Sequence, residues 1–171
     1  MAGAGIVITL VLGGARSGKS GVAERLADRC GQPVTYVATL RVDGADAALE
    51  RRVAVHRARR PAQWATIETG HDLPATLRAV SGTALVDSLG PWLADHPGFA
   101  VDADALCAAV LDRNGDTVIV SDEVGLGVHP SSEAGREFRD ALGSLNQSVA
   151  AVADQVLLVV AGRVLTVDGR A

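Results

Sequence analysis

The stretch GGARSGKS, residues 13–20, constrains this chain more than any other part of it. It fits the pattern G-x-x-x-x-G-K-[ST] through Gly13, Gly18, Lys19 and Ser20. Such a pattern carries meaning only where a strand runs into it and a helix leaves it, and both signals are present. IVITLVLG (6–13) is a short apolar, β-branched run, and KSGVAERLADRC (19–30) spaces Val22, Leu26 and Cys30 four residues apart along one helical face. In that setting the glycines let backbone N–H groups close around phosphate oxygens, and the helix N-terminus adds partial positive charge. Lys19, the chain's only lysine, is expected to reach the outer phosphates of a nucleoside triphosphate, and Ser20 to ligate Mg²⁺.

The rest of the chain continues the alternation of strand and helix. VTYVATL (34–40) reads as a second strand, ADAALERRVAVHRARR (45–60) as a helix stopped by Pro61, and WATIE (64–68) as a short strand. LPATLRAV (73–80) follows as a helix, TALVDSL (83–89) as a strand, DADALCAAVLDR (102–113) as a capped helix and DTVIVSDEVG (116–125) as a strand. A long helix over 131–153 and two strands, QVLLVVAG and RVLTV, joined by a turn at Gly162 and Arg163, complete the chain. Near-continuous Val/Ile/Leu strands suit a sheet buried on both faces, and the alternation implies parallel βαβ units. The expectation is an α/β fold, with residues 1–171 forming one domain long enough to bury a core.

With 48% hydrophobic and only 3% aromatic residues, that core must rest on Ala, Val and Leu. Trp64 and Trp92 are then expected as core or subunit-interface anchors. A net charge of −4 argues against general binding to nucleic acid or to anionic membrane. Cys30 and Cys107 are too few and too isolated for a disulfide framework or a zinc site, which suits a cytoplasmic protein with reduced thiols. The N-terminal apolar run lacks a positive n-region and reads as a buried strand, and no apolar run is long enough for membrane insertion.

Mg²⁺ at such a loop usually needs a carboxylate from a neighbouring strand end. ALVD offers Asp87, and VIVSDE offers Asp122 and Glu123; each is an apolar run ending in acid, the Walker B pattern. Asp87 ranks first as the metal-side carboxylate. Glu123 ranks second, acting through a water or as an orienting acid, and the division of labour stays open.

RRVAVHRARRP (51–61) sets one histidine among five arginines in an acidic chain. On a helix, Arg52, His56 and Arg60 would form one stripe. Guanidinium forks suit phosphate oxygens, and their field would keep the imidazole neutral with a free lone pair. Taken alone, the stretch fits both a solvated basic helix and a phosphate site.

GGARSGKS, YVAT, the RxxxHRxxRPxxW stretch, LVDSLGPWL, SDEVGLGVHP and FRDALGSLNQSVAAVADQVLLVVAG occur in this order over residues 6–167. Together they resemble the bifunctional adenosylcobinamide kinase/adenosylcobinamide-phosphate guanylyltransferase family of cobalamin biosynthesis. The resemblance implies a RecA-like P-loop fold, mostly parallel with one antiparallel strand, assembled as a homotrimer. It implies two reactions: phosphorylation of the aminopropanol hydroxyl of adenosylcobinamide by ATP or GTP, then transfer of GMP from GTP to that phosphate through a guanylylated histidine. The matching histidine is His56, and Lys19 is the other catalytic candidate. Nucleotide contacts map onto Gly13, Gly14, Ala15, Arg16, Ser17, Gly18, Lys19 and Ser20, onto Ala38, Thr39 and Leu40, onto Arg57, Ala58, Arg59 and Arg60, and onto Glu68 and Asp87. Ser20 and Asp87 take the metal. His71 and His96 read as surface residues, His129 as a structural residue or substrate contact, and Asn146 and Gln147 as capping or subunit-contact residues.

Overall fold

A computed structural model describes residues 5–31, 33–40, 57 and 60–167. Among them, strands β1 (Ile8–Gly13), β2 (Val34–Ala38), β3 (Ala65–Glu68), β4 (Thr83–Asp87), β5 (Thr117–Asp122), β6 (Gln155–Val160) and β7 (Arg163–Thr166) form one sheet. Their order is β3-β2-β4-β5-β1-β6-β7. Every neighbouring pair is parallel except β6 and β7, so the sheet is mostly parallel with one antiparallel strand, as expected.

The pleat explains why these apolar runs are strands. In β5, Val118 and Val120 face one helical layer while Ile119 faces the other. In β1, Val11 and Leu10 divide the same way. Helix α1 (Lys19–Cys30) covers the first face. Helices α2 (Leu73–Ala79), α3 (Leu89–Ala94), α4 (Ala103–Leu111) and α5 (Glu133–Val152) supply the buried residues of the second, including Leu77, Leu93, Leu106 and Leu142. Both tryptophans are core residues, Trp64 under α1 and Trp92 on the opposite face. Asp72, Asp102 and Ser132 each cap a helix by accepting a backbone N–H with a side-chain oxygen.

Val22, Leu26 and Cys30 pack from α1 against one cluster, as their spacing implies, and Ala23 and Ala27 are buried beside them. Other expectations need correction. The strand expected over 83–89 ends at Asp87, and LGPWLA forms α3. Pro91 occupies the third position of that helix, where its missing N–H would have had no intrahelical partner. The final turn lies at Ala161 and Gly162, both at positive φ, and Arg163 already pairs with Val160. The expected helix over 45–60 falls mostly outside the described residues.

No helix among the described residues is long and apolar enough to cross a membrane. Cys30 and Cys107 are both free thiols.

Candidate functional site

The parallel strands end together on one edge, and that edge gathers the candidate residues. Gly13 is in register with Asp122 of β5 and Val159 of β6, and Ala38 is in register with both Asp87 and Glu68. Open α/β sheets bind ligands beyond this carboxyl end.

β1 runs directly into the loop at Gly13. A Cβ there would lie 2.5 Å from Ser17 Oγ and 2.8 Å from the Val159 carbonyl oxygen, so only glycine lets the loop fold back onto β6. Gly18 takes φ 94° as the residue before α1, a left-handed conformation that suits glycine. The turn between β6 and β7 braces the loop from the side, Gly162 N–H donating to the Ser17 carbonyl at 2.8 Å.

Lys19 Nζ lies 2.7 Å from Asp122 Oδ1 and donates to the Gly14 carbonyl at 3.3 Å. Asn146 holds the same strand end, its Nδ2 donating to the Asp122 carbonyl at 3.0 Å. Ser20 Oγ donates to Asp87 Oδ1 at 3.4 Å, and the other Asp87 oxygen accepts from the Tyr36 hydroxyl at 2.8 Å. Burial, then the negative charge of Asp87, pushes the Tyr36 phenol well above its ordinary pKa, so Tyr36 stays protonated as the donor. The Arg60 guanidinium sits over the Tyr36 ring, 3.2 Å from Cζ to the ring centroid.

Thr39 is buried, and its hydroxyl both accepts from Ser88 N–H at 2.8 Å and donates to the Ser88 carbonyl at 2.6 Å. It thereby locks the turn that follows Asp87. Glu123 is committed differently: its Oε1 accepts from the N–H groups of Gly125 at 2.6 Å and Leu126 at 3.2 Å. That shapes the loop after β5 and leaves Asp87 as the acid beside Ser20.

A serine hydroxyl and a carboxylate oxygen converging next to a phosphate loop are the hard oxygen donors that Mg²⁺ takes from a protein, with phosphates and water completing its shell. The donor set fits that ion.

Of the residues singled out in the sequence, the phosphate loop, Ala38, Thr39, Leu40, Glu68 and Asp87 lie along this one strand-end edge, and Arg60 reaches it through Tyr36. Glu68 is exposed, Leu40 half-buried and Arg57 exposed. His56, Ala58 and Arg59 lie outside the described residues. His71 is exposed and His96 half-buried, its Nδ1 2.8 Å from the Trp92 carbonyl oxygen. His129 is exposed, with Nδ1 3.1 Å from the Pro130 carbonyl oxygen.

No local sequence pattern marks Tyr36 as a functional-site residue or pairs Asp122 with Lys19; only the parallel β2–β4 ladder puts the YVAT segment beside the acid that ends β4.

The family model of cobinamide kinase / cobinamide phosphate guanyltransferase matches residues 9–167. The chain is 41% identical over 169 residues to the bifunctional adenosylcobalamin biosynthesis protein CobP of Pseudomonas aeruginosa, covering 94% of this chain and 96% of that one. It is 35% identical over 178 residues to the bifunctional adenosylcobalamin biosynthesis protein CobU of Escherichia coli, covering 91% of this chain and 97% of that one. Among solved structures, the flagellar accessory protein FlaH of Methanocaldococcus jannaschii aligns over 95% of this chain and 77% of its own, with a TM-score of 0.48 and 15% identity. With the phosphate loop in place and near-full-length identity to two such proteins, this chain belongs to the cobinamide kinase / cobinamide phosphate guanyltransferase family.

Proposed function

We propose that this chain phosphorylates the aminopropanol hydroxyl of adenosylcobinamide with ATP or GTP. It then transfers GMP from GTP to that phosphate, giving adenosylcobinamide-GDP, with both reactions in one domain. The observation that carries this reading is the convergence of Lys19, Ser20 and Asp87 on one strand-end edge in a member of this family.

In the kinase step the loop from Gly13 to Ser20 cradles the triphosphate with its N–H groups, and Lys19 exchanges Asp122 for the outer phosphates. Ser20 Oγ and Asp87 Oδ1 would hold Mg²⁺, which when bound would neutralise charge on the transferring phosphates. The acceptor hydroxyl oxygen bonds to the γ-phosphorus and gives its proton up to solvent, as the bond to the β–γ bridging oxygen breaks and the nucleoside diphosphate leaves.

In the second step neutral His56 attacks the α-phosphorus of GTP. A nitrogen–phosphorus bond forms, the bond to the α–β bridging oxygen breaks, and pyrophosphate leaves. A phosphate oxygen of adenosylcobinamide phosphate then attacks the same phosphorus and releases the histidine. Arg57 to Arg60, Ala38 to Leu40 and Glu68 position the nucleotide. The working assembly is a cytoplasmic homotrimer, which a solution mass measurement tests.

The deciding experiment incubates the protein with Mg²⁺ and GTP labelled at the α-phosphorus, then denatures it. An acid-labile, base-stable covalent label is expected, absent in His56→Ala and discharged by adenosylcobinamide phosphate. No label overturns the histidine intermediate. A label that the acceptor leaves in place overturns the assigned acceptor.

A further inference from the structure

Tyr36 is the only tyrosine of the chain and lies in β2 with 4% of its surface exposed. The pleat turns it, with Val34, into the apolar layer under α1 beside Leu85 and Trp64. Phenylalanine would fill that space equally well, so the hydroxyl calls for its own explanation. It reaches Asp87 Oδ2 at 2.8 Å, across a ladder in which Ala38 pairs with Asp87.

The two oxygens of Asp87 are therefore divided. Oδ2 accepts from Tyr36, and Oδ1 faces Ser20 Oγ at 3.4 Å. A carboxylate tied at one oxygen presents the other in a fixed direction, which is how outer-shell partners orient a metal ligand. The opposite use of the ring is independent of the hydroxyl: its face seats the Arg60 guanidinium at 3.2 Å. Arg60 ends the arginine-rich stretch that carries His56.

We propose that Tyr36 is the positioning residue of this site: its hydroxyl aims Asp87 Oδ1 at the cation, and its ring face docks Arg60 beside the same strand end. One side chain thus ties the metal-side carboxylate to the arginine-rich stretch. This rests on reading Ser20 and Asp87 as the Mg²⁺ donors.

The test measures binding of a fluorescent, non-hydrolysable GTP analogue while Mg²⁺ is varied, in the wild type, Tyr36→Phe, Tyr36→Leu and Asp87→Asn. Tyr36→Phe keeps the ring, so its affinity for the analogue in EDTA should match the wild type. Its half-saturating Mg²⁺ concentration should rise roughly tenfold. Tyr36→Leu also removes the seat of Arg60 and should weaken binding in EDTA as well.

An unchanged Mg²⁺ midpoint in Tyr36→Phe, alongside a raised midpoint in Asp87→Asn, overturns the positioning role alone. A wild type whose binding ignores Mg²⁺ overturns the metal reading and this role with it. A second measurement does not depend on the variants folding. Fluorotyrosine incorporated at this sole tyrosine gives one fluorine resonance, which should shift when Mg²⁺ is added to the nucleotide complex. A resonance that stays put at saturating Mg²⁺ overturns the proposal.

Discussion

Lys19 Nζ and Asp122 Oδ1 stand 2.7 Å apart at the mouth of the phosphate loop, with side chains 13% and 32% exposed. Asp122 is placed there by its surroundings. Asn146 holds its backbone carbonyl, and a Cβ on Gly90 would come within 2.7 Å of its Oδ2, so only glycine leaves the carboxylate this space. On the proposed role of Lys19, an anion so close to it competes with the phosphates. Asp122→Asn keeps the shape and an acceptor oxygen but removes the charge. Titration calorimetry should find GTP bound about fivefold more tightly, or about 1 kcal/mol, because one like-charge repulsion in a partly solvated site is gone. Weaker binding would show instead that Asp122 supports the nucleotide.

Gly13 and Gly14 are adjacent yet should respond differently to alanine. A Cβ at Gly13 collides with Ser17 Oγ and with the Val159 backbone, whereas nothing lies within 4 Å of one at Gly14. Gly13→Ala should cost about 1–3 kcal/mol by overpacking and lose nucleotide binding as the loop is pushed off β6. At roughly 2–4 °C per kcal/mol in a chain of this size, differential scanning calorimetry should show a clear drop in Tm. Gly14→Ala should melt near the wild type. Equal melting of the two variants would refute the close approach.

The contrast between these glycines also marks what the sequence could tell. The loop was legible because its spacing sits between a strand and a helix, both local patterns. The central strands were legible because Val118, Ile119 and Val120 are buried on alternating faces, which only an apolar run permits. Helix α3 was not, because LGPWLA carries two poor helix formers and is held by burial of Trp92 and Leu93 against distant elements. The Tyr36–Asp87 bond joins residues 51 positions apart and depends on strand order, which no local pattern encodes. Glu123, ranked behind Asp87, also ends a Walker B-like run, and only the path of the chain after β5 turns its carboxylate onto Gly125 and Leu126.

Arg113 offers a test of the scaffold apart from the site. It is 7% exposed and donates through Nε to Thr117 Oγ1 at 3.1 Å and through its Nη atoms to the carbonyls of Leu77, Val80 and Gly82 at 2.5–2.7 Å. Burial lowers its pKa, yet the guanidinium is basic enough to stay charged at neutral pH. Arg113→Met would take this donor from the Val80 and Gly82 carbonyls, the Leu77 carbonyl keeping the Val80 N–H, and should cost about 3 kcal/mol, read as a lower urea midpoint. Arg113→Lys should recover only part, since one ammonium cannot span the fork's partners. Thr117 begins β5 while Asp122 ends it, so nucleotide affinity below the transition should be unchanged. A loss of affinity in the folded variant would mean that the two ends of the strand are coupled.

Thr39 makes the last case, because its hydroxyl joins stability to the site. It accepts from and donates to the backbone of Ser88, the residue after Asp87, the carboxylate proposed to hold Mg²⁺, and Thr39 N–H donates to the Asp87 carbonyl at 3.3 Å. Thr39→Val preserves shape but leaves the N–H and carbonyl of a buried Ser88 without these partners, a cost of about 2–4 kcal/mol. The turn would then relax by moving Ser88, and Asp87 with it, so Mg²⁺-dependent GTP binding should weaken roughly tenfold. Thr39→Ser restores the hydroxyl without the methyl and should recover most of both quantities. If Thr39→Val were destabilised yet bound Mg²⁺ and GTP normally, Tyr36 and Ser20 would suffice to hold Asp87. Fixing the carboxylate would then belong to its side-chain partners alone, with the Ser88 turn serving only the fold.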